Sequence, residues 1–549
     1  MRVALVNLKD HESAAYFPPT EHLGLAYLTA ELRRRGHQTH LIDGDARGLE
    51  DAEVERRVVD LRPDLLGITT THLIVARAVA LAGRVKRAVP GVKVILGGHH
   101  ATFAAADLFQ ACPAVDFIAR GEGEITLGEL ADALHQGRPT EAIAGLWSRT
   151  PGGTVVRAPD RRAAALDALP LPARDTLRAL PRGTYQALVV LTSRGCVGRC
   201  RFCNTWRLPT LGGGPNWRGR DPEAVRDEVR ALWNEFGHSR FFFVDDNFIG
   251  PAEAAPRALE IARLVNQVDP GITMECDMRA DSLSDLSTMV ELRRLGLVLA
   301  YIGLESGSPH ALRLYGKGVS VTQNAVCIRR LHRAGIKTPE CGVILFHPYA
   351  TLDEIQTSVR FFWRLGFTSL SPYCGLSRRL ALYPGTDLLE QVRSDGLLDP
   401  SWRHDRVYAY RFRDPRVALV ADAVLALSGG DSVAARIDAL TTYLKVDVLS
   451  ALSALLARVG RRSGTDRSAE KAARRILRPA FHAAGRAGDA NCRAILELVD
   501  LARRGWRRDA FQEIIASYEE TALQALAQLR TSIEKAVIQL TPHLPEGGV

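Results

Sequence analysis

The chain has 549 residues, a length that allows three to four domains of about 150 residues, or two if one of them is a large barrel. Hydrophobic residues make up 46% and charged residues 24%, so a disordered, fibrous or disulfide-scaffold protein is excluded. The 71 lysines and arginines exceed the 62 acidic residues and give a net charge of +9. That excess suits anionic cofactor groups or an ordinary surface, and no dense basic block with interleaved aromatic residues predicts nucleic acid binding.

The N-terminus and the cysteine content indicate the compartment. Met1 leads directly into the strand-like run Arg2–Asn7, without the apolar region and cleavage site of a signal peptide, and no uncharged apolar run reaches 18 residues. We therefore expect a cytoplasmic protein that has no membrane partner. The 9 cysteines are an odd number, so disulfides are not expected, but three of them lie within eight residues.

Residues 1–140 alternate short β-branched runs with helical periods, which predicts a Rossmann-like, doubly wound parallel sheet of an α/β protein. The predicted strands are Val3–Leu8, Gln38–Ile42, Leu65–Thr69, Lys93–Leu96 and Val115–Ile118, and the predicted helices include Leu23–Arg35, Val75–Ala88 and Glu124–Leu134. Residues 141–185 read as a hairpin with its turn at Pro151–Gly153, followed by a proline-spaced linker.

Residues 186–400 contain a second series of strands and helices, which predicts a partial (β/α)6 barrel of the TIM type. Its six strands are expected at Ala187–Thr192, Phe241–Val244, Thr273–Cys276, Leu299–Gly303, Val343–Phe346 and Ser369–Cys374. Residues 401–549 have a helical period almost throughout and are expected to form an all-helical C-terminal domain.

The cysteine cluster follows the first barrel strand, at the end of a barrel where active sites are found. Cys196, Cys200 and Cys203 have the spacing C-x3-C-x2-C, and Gly195 and Gly198 let the loop turn tightly. Three thiolates at this spacing are able to hold three corners of a [4Fe–4S] cluster and leave one iron open. A zinc site needs a fourth nearby ligand, which the sequence does not offer, and buried unligated thiols are the remaining alternative.

This loop resembles that of the radical S-adenosylmethionine (SAM) superfamily, and Phe202 matches the aromatic residue usually found before its last cysteine. The resemblance implies that the open iron binds S-adenosyl-L-methionine and that an electron from the cluster cleaves it to a 5′-deoxyadenosyl radical. It also implies an external electron donor of the flavodoxin or ferredoxin type.

The same resemblance implies roles for charged residues at the ends of the barrel strands. Asp245 and Asp246 are expected near the amino group of SAM, with helix capping by Asp246 or Asn247 as the alternative. Glu275, Arg279, Glu305 and Ser306 are expected at its ribose and carboxylate, with internal salt bridges as the alternative for the charged residues.

No G-x-G-x-x-G follows the first strand, so a dinucleotide is a poor candidate for the N-terminal sheet. The strand ends instead resemble the cobalamin-binding domain that precedes the barrel in the B12-dependent branch of the radical SAM family. The implied cobalamin-binding residues are Leu23, Gly24, Thr69, Thr70, His72, Gly97, Gly98, His99, Thr102, Gly121 and Glu122. The D-x-H-x-x-G signature for a cobalt-ligating histidine is absent, and a Rossmann module without a cofactor is the alternative.

Together these domains imply a C-methyltransferase that uses methylcobalamin to methylate an unactivated carbon of a small-molecule or peptide substrate, as in natural-product biosynthesis. Ring contraction, cyclisation, cyclopropanation, another rearrangement or a polar methylation are alternatives with the same cofactors. A corrinoid-binding sensor would need a DNA-reading module, and none is recognisable. Candidate substrate-pocket residues, with core packing as their alternative, are Tyr373, Arg378, Arg379, Tyr383, Trp402, Tyr408 and Tyr410.

Overall fold

The computed structural model describes residues 1–11, 20–181, 184–283, 285–371, 375–429, 432–444, 448 and 466–540. Its N-terminal part is a mixed sheet in the order β2-β1-β3-β4-β5-β6-β7. The strands are β1 Arg2–Asn7, β2 Gln38–Asp43, β3 Leu65–Thr69, β4 Lys93–Gly97, β5 Phe117–Ala119, β6 Leu146–Arg149 and β7 Val155–Arg157.

Strands β1 to β5 are parallel, as the sequence predicts, and the predicted hairpin adds β6 and β7 antiparallel at one edge. The strand order reverses between β1 and β3, and ligands of such sheets bind beyond the carboxyl ends of the strands at that reversal. The helices of this part are Leu23–Arg34, Asp51–Leu61, Val75–Ala88, His99–Phe103, Ala105–Ala111 and Glu124–His135.

A short linker with the 3-10 turn Leu166–Ala168 and the helix Asp175–Ala179 leads to the barrel. Arg174 of this linker is buried, and its guanidinium pairs with Glu21 of the sheet domain and, at 2.5 Å, with Glu228 of the first barrel helix. Glu228 also forms an ion pair with Arg220 at 2.5 Å. This chain of buried charges joins the sheet, the linker and the barrel, and burial raises the pKa of Glu21 to about 7.

The barrel has a parallel sheet in the order β14-β13-β12-β11-β8, and β9 pairs antiparallel with β10 beside it. The strands are β8 Leu188–Val190, β9 Ser193–Gly195, β10 Trp217–Gly219, β11 Arg240–Phe243, β12 Thr273–Arg279, β13 Leu297–Glu305 and β14 Cys341–Val343. The helices are Pro222–Phe236, Ala255–Val268, Leu286–Arg294, Pro309–Leu314, Val321–Ala334, Leu352–Leu365 and Asp387–Ser394, with 3-10 turns at Thr205–Thr210 and Ala252–Ala254.

The sixth predicted barrel strand differs from the structure. Residues 372–374, among them the candidate pocket residue Tyr373, lie outside the described part of the chain. Residues 369–371 are described and form no strand. Arg379 instead makes a single parallel bridge to Phe346, beyond the end of β14. The chain therefore runs beside the fifth strand some residues later than the sequence predicts.

The C-terminal part is helical, with helices Pro415–Ser428, Val433–Tyr443, Asp466–Ile476, Arg478–Arg504 and Arg508–Leu540. It shares one hydrophobic core with the barrel, to which Val420, Ile495 and Leu498 contribute. The indole of Trp363, on the outer barrel helix Leu352–Leu365, donates to Asp489 at 2.7 Å.

Among the described residues no single helix is long and apolar enough to span a membrane. One pair, Pro415–Ser428 with Val433–Thr441, passes that test jointly by length and composition, and it is bent by 66°.

Candidate active site between sheet and barrel

A cleft lies between the carboxyl edge of the N-terminal sheet and the mouth of the barrel. It encloses about 1490 Å³, including the part open to solvent. Its lining comes from both the sheet domain and the barrel, including Thr70 on one side and Asp246 on the other, and the cleft is open to solvent. The predicted cobalamin-binding residues that line it are Leu23, Gly24, Thr69, Thr70, Gly97, Gly98, His99, Gly121 and Glu122.

Backbone geometry keeps the sheet side of the cleft open. Gly98 has φ +93°, and a Cβ at this position would lie 2.9 Å from the carbonyl oxygen of Thr70 and 3.1 Å from Oγ1 of Thr69. A side chain here would be both strained and crowded, so glycine lets the β3 and β4 loops pack together. The resulting wall of backbone and hydroxyl groups fits the large, amide-rich cobalamin.

Two of the predicted cobalamin-binding residues do not line the cleft. Thr102 is fully buried, where its hydroxyl donates to the Gly98 carbonyl at 2.9 Å and accepts from the Gly121 N–H at 3.1 Å, so it holds two cleft loops in place. The His72 ring packs edge-on against Tyr383, with 5.0 Å between the centroids, and burial lowers its pKa to about 4. His72 is therefore neutral at physiological pH.

His22 also lines the cleft, although no role was predicted for it from the sequence. Its Nδ1 accepts from the Leu25 N–H at 3.1 Å and so caps the first helix, and its Nε2 lies 3.3 Å from Oγ1 of Thr69. Its position directly before the predicted helix that begins at Leu23 is the feature of the sequence that indicates a helix-capping role.

The cysteine loop lies on the barrel side of the same region and is held by backbone hydrogen bonds. The N–H of Cys196 donates to the Asn216 carbonyl at 3.0 Å, and the N–H of Arg201 donates to the Tyr315 carbonyl at 2.8 Å. Gly195 has φ +85°, and a Cβ there would meet the Asn216 oxygen at 2.1 Å. Glycine is therefore required where β9 pairs with β10, directly before the first cysteine.

The donor set of this loop fits an iron–sulfur cluster. The loop brings three free cysteine thiols from one short segment, and three Cys sulfurs are the protein ligands that leave one iron of a [4Fe–4S] cluster open. Burial raises the pKa of Cys196, and it raises the pKa of Cys203 to about 11. Both are thiols without metal, and metal binding would displace their protons.

Arg279, at the end of β12, supplies positive charge beside the cysteines. Its Nη1 lies 3.6 Å from Sγ of Cys200, and its other nitrogens bond Asp281 at 2.8 Å. A Cβ on Gly198 would be 2.2 Å from the same Nη1. The glycine thus leaves the space that the guanidinium occupies next to the sulfur of Cys200.

The two adjacent carboxylates after β11 have different surroundings. Asp245 is buried and accepts from the Thr192 N–H at 2.7 Å and from the Ser193 hydroxyl at 2.8 Å, so it ties down the start of the cysteine loop. Asp246 lines the cleft and accepts from the Gly195 N–H at 3.2 Å. Neither Asp246 nor Asn247 caps an α-helix, since the next one begins at Ala255.

The remaining predicted SAM-binding residues are all engaged within the protein. Glu275 pairs with Arg240, the first residue of β11, and so lies away from the barrel mouth. Glu305 pairs with the buried Lys317 at 2.8 Å and has a left-handed φ of 65°. The Ser306 hydroxyl lies 3.0 Å from that of Ser358. The internal salt bridges expected as the alternative are thus present for Glu275, Arg279 and Glu305 alike. Of these, Glu305 lies near the cluster loop, because Arg279 donates to the carbonyl oxygen of its partner Lys317 at 2.8 Å.

Asp277 is a candidate that the sequence analysis missed. It lies two residues from both Glu275 and Arg279 on β12, which is the strand period, so the pattern itself pointed to it. Its pKa is raised to about 8, mainly because the side chain is buried and also because the nearby carboxylates of Asp246, Asp245 and Glu275 disfavour a further negative charge. Asp277 is therefore a neutral acid at physiological pH.

A set of ion pairs joins the two walls of the cleft, and we call Glu122, Glu124, Arg194 and Arg218 the interdomain clamp. Arg194, two residues before Cys196, pairs with Glu124 at 2.6 Å and with Glu122 at 3.3 Å. Arg218 of β10 also pairs with Glu122. Glu122, predicted as a cobalamin-binding residue, thus holds the sheet domain against the cysteine loop.

Comparison with known proteins identifies this arrangement. The B12-binding domain family model matches residues 15–131, and the radical SAM superfamily model matches residues 190–362. The chain belongs to the B12-binding radical SAM enzymes. The resemblance carried by the cysteine loop and the strand ends is thereby confirmed.

Relatives and solved structures agree with this family. An uncharacterized methyltransferase of Pyrococcus horikoshii is 31% identical over 392 residues, which cover 69% of this chain and 80% of that protein. The anaerobic magnesium-protoporphyrin IX monomethyl ester cyclase of Rubrivivax gelatinosus is 26% identical over 62% of this chain and 61% of that protein. The cobalamin-dependent radical SAM enzyme OxsB, with aqua-cobalamin and SAM bound, has the same fold, with a TM-score of 0.68 at 18% identity over 100% of this chain and 81% of that chain.

The cofactors of this radical SAM enzyme follow from its family and its site. They are a [4Fe–4S] cluster, S-adenosyl-L-methionine and cobalamin. The cysteine loop and the glycine-lined cleft described above are the parts of the structure that fit them.

Proposed function

We propose that the protein is a C-methyltransferase that methylates an unactivated carbon of a small molecule in natural-product biosynthesis. The supporting observation is that Gly195 and Asp246, next to the cysteine loop, line the same cleft as Gly98 and His99 of the sheet. A cavity that borders both the sheet edge and the start of the cysteine loop supports the proposal, because transfer between the two cofactors requires a shared space. The methyltransferase name of the Pyrococcus relative supports the same reaction class.

We assign the residues to the cofactors as follows. Cys196, Cys200 and Cys203 hold the cluster, with Arg279 compensating thiolate charge. Asp246 faces the amino end of SAM, and the loops held by Thr102 bind cobalamin. When bound, the cluster with SAM supplies a radical able to take a hydrogen atom, and cobalamin supplies the methyl group. The protein orients these groups and excludes water.

The test is product analysis under anaerobic conditions with the reconstituted holoenzyme. We expect the product to gain one CH₂ unit, and we expect 5′-deoxyadenosine and S-adenosylhomocysteine to form in step with it. Product that gains no methyl group would contradict the proposal. A methylated product without 5′-deoxyadenosine would instead indicate polar methylation.

A second candidate is a non-methylating reaction of the same cofactors, such as ring contraction, cyclisation or cyclopropanation. The observation in its favour is the cyclase name of the Rubrivivax relative. This candidate predicts 5′-deoxyadenosine without S-adenosylhomocysteine, and a product that lacks the added carbon.

The proposal also includes the partner and the location of the enzyme. A reduced flavodoxin or ferredoxin in the cytoplasm would deliver the electron to the cluster. Turnover is then expected to require such a donor, and turnover without any reductant would exclude it.

We also propose domain boundaries: the cobalamin domain at 1–140, the linker at 141–185, the radical SAM barrel at 186–400 and the helical domain at 401–549.

A further inference from the structure

The cysteine loop reaches the surface of the molecule between its second and third ligands and just before them. Arg199 and Arg201 are the neighbours of Cys200 in the chain, and Cys200 itself is buried. Arg199 is exposed, whereas Arg201 is half-buried. A cluster ligand is thus bonded directly to a residue that solvent and other proteins can reach.

Trp206 connects this surface with the same cysteine. Its indole Nε1 donates to the Cys200 carbonyl oxygen at 3.4 Å, and its ring is half-buried. The guanidinium carbons of Arg207 and Arg199 lie 4.5 and 5.9 Å from the ring centroid. These cation–π contacts hold two positive charges beside a ring whose N–H group contacts the backbone of a cluster ligand.

A fourth arginine extends the positive charge to the next element of the barrel. Arg313, on helix Pro309–Leu314, is exposed, and its carbonyl oxygen accepts from the Gly316 N–H at 3.0 Å. A Cβ on Gly316 would lie 2.9 Å from Cγ of Arg201, so this turn packs directly against the loop. We call Arg199, Arg201, Arg207 and Arg313 the arginine patch.

The arginine patch has little compensating negative charge. Arg207 pairs with Asp387. Arg199, Arg201 and Arg313 form no ion pair with any carboxylate of the described residues. A surface with uncompensated charge of one sign attracts partners of the opposite sign and accelerates their association. The partner that fits this surface is therefore acidic.

We propose that the arginine patch and Trp206 are the docking surface for an acidic one-electron carrier protein of the flavodoxin or ferredoxin type. This inference rests on the proposed function, because it gives a place to the electron donor named there. The reduced carrier loses one electron and the cluster gains it, so no bond forms or breaks and no proton is required. Docking beside Cys200 brings the carrier to the cluster from outside and leaves the cleft to the other cofactors and the substrate.

The test measures reduction of the cluster in the absence of substrate. The holoenzyme, reconstituted with cluster and cobalamin, is mixed with reduced flavodoxin in a stopped-flow spectrometer, and the cluster absorbance gives a second-order rate constant. We expect Arg199→Glu to lower this rate constant about tenfold or more at low ionic strength. The difference from the wild type should shrink toward about 1 M salt, where the Debye length is about 3 Å.

Arg138→Glu is the matched control, because Arg138 is also exposed and its Nε bonds the uncharged side chain of Gln136 at 2.7 Å. It follows the 12-residue helix Glu124–His135, whose first residue contacts Arg194 at the start of the cysteine loop. This helix is about 18 Å long, so Arg138 is remote from the patch. Flavodoxin should reduce this variant as fast as the wild type.

A small neutral reductant, photoreduced deazaflavin, tests whether the cluster itself is altered. It should reduce the Arg199→Glu holoenzyme at the rate of the wild type. Arg313→Glu lies outside the cysteine loop, should slow flavodoxin in the same way, and provides the test if Arg199→Glu fails to hold a cluster. The dissociation constant of flavodoxin, measured by calorimetry, should increase in both variants.

Two results would overturn the docking surface. One is a rate constant and a dissociation constant for flavodoxin that equal those of the wild type in both Arg199→Glu and Arg313→Glu. The other is a wild-type cluster that deazaflavin reduces and flavodoxin does not. A product without an added methyl group would contradict the proposed function but not the docking surface, because the rate is measured without substrate.

Discussion

At residue 198 the lack of a side chain decides whether Arg279 can lie against Cys200. A methyl group there would stand 2.2 Å from Nη1 of the guanidinium. We expect Gly198→Ala to displace Arg279, to cost about 1–3 kcal/mol in overpacking, and to lower cluster retention. The content of iron and sulfide per chain after anaerobic reconstitution measures the cluster retention. Gly152→Ala, in a hairpin turn where the nearest atom is 3.9 Å away, is the control. Equal iron content in both variants would contradict the role given to Arg279.

Asp277 gives the stability of the apoprotein a pH dependence whose sign can be stated. Its pKa is raised from 3.8 to about 8, so between these values the folded state holds a proton that the unfolded state has lost. This contribution to stability is therefore present at low pH and is lost as the pH rises toward 8, by at most about 1.4 kcal/mol per pH unit.

Asp277→Asn, which resembles the neutral acid, should remove that slope. Urea unfolding at several pH values between 5 and 8 should show the variant gaining stability over the wild type as the pH increases. A difference that does not change with pH would show that Asp277 is ionised in the folded protein.

At the scale of elements, helix Arg478–Arg504 packs most tightly against the segment after the outer barrel helix at Gly488. A Cβ at Gly488 would lie 2.0 Å from the Thr368 hydroxyl, whereas a Cβ at Gly485, on the same helix, meets nothing within 4 Å. We expect Gly485→Ala to stabilise the protein by about 0.5–1 kcal/mol through helix propensity. Gly488→Ala should destabilise it, because overpacking of about 1–3 kcal/mol exceeds that gain. Thermal unfolding of the two variants measures this difference. Equal changes in the midpoint temperature of unfolding for Gly485→Ala and Gly488→Ala would exclude close packing at Gly488.

The elements also differ in how well the sequence predicts them. Strands β1 to β5 match their predicted ranges within about two residues because each is a compact β-branched run between turns. Helix Asp51–Leu61 is not among the helices named from the sequence, and only Val54 and Val58 of it are buried. The sixth barrel strand was misplaced because its pairing depends on Phe346, which is distant in sequence.

The site shows the same division between local and distant signals. The cysteine spacing is local, and Cys196, Cys200 and Cys203 are predicted as cluster ligands from that spacing and the resemblance it carries. The partners of Glu122 are Arg194 and Arg218, more than 70 residues away, so its pairing could not be derived from spacing. Thr102 was predicted to bind cobalamin, but it is buried in the helix His99–Phe103, where its hydroxyl bonds Gly98 and Gly121, and the sequence spacing does not reveal these partners.

At the scale of the whole molecule, Arg174 joins three parts of the chain. Arg174→Met would leave the buried Glu21 and Glu228 without this cation, and we expect a loss of about 3–5 kcal/mol in the free energy of unfolding. The control is Arg178→Met, whose pair with Glu235 is exposed and contributes less than about 1 kcal/mol. Chemical denaturation measures both. A loss of stability no larger for Arg174→Met than for the control would show that the buried network does not join the domains.

The shared wall of the cleft links the loading of the two cofactor sites. Gly195 lies in that wall and is covalently bonded to Cys196, and the clamp residue Arg194 precedes it. Binding free energies at coupled sites are reciprocal, so whatever factor a filled cleft applies to metal affinity at the cysteines, metal must apply to the cleft. Iron supply and corrinoid supply would then act on the same population of active enzyme, because a change in the loading of one site changes the affinity of the other by the same factor.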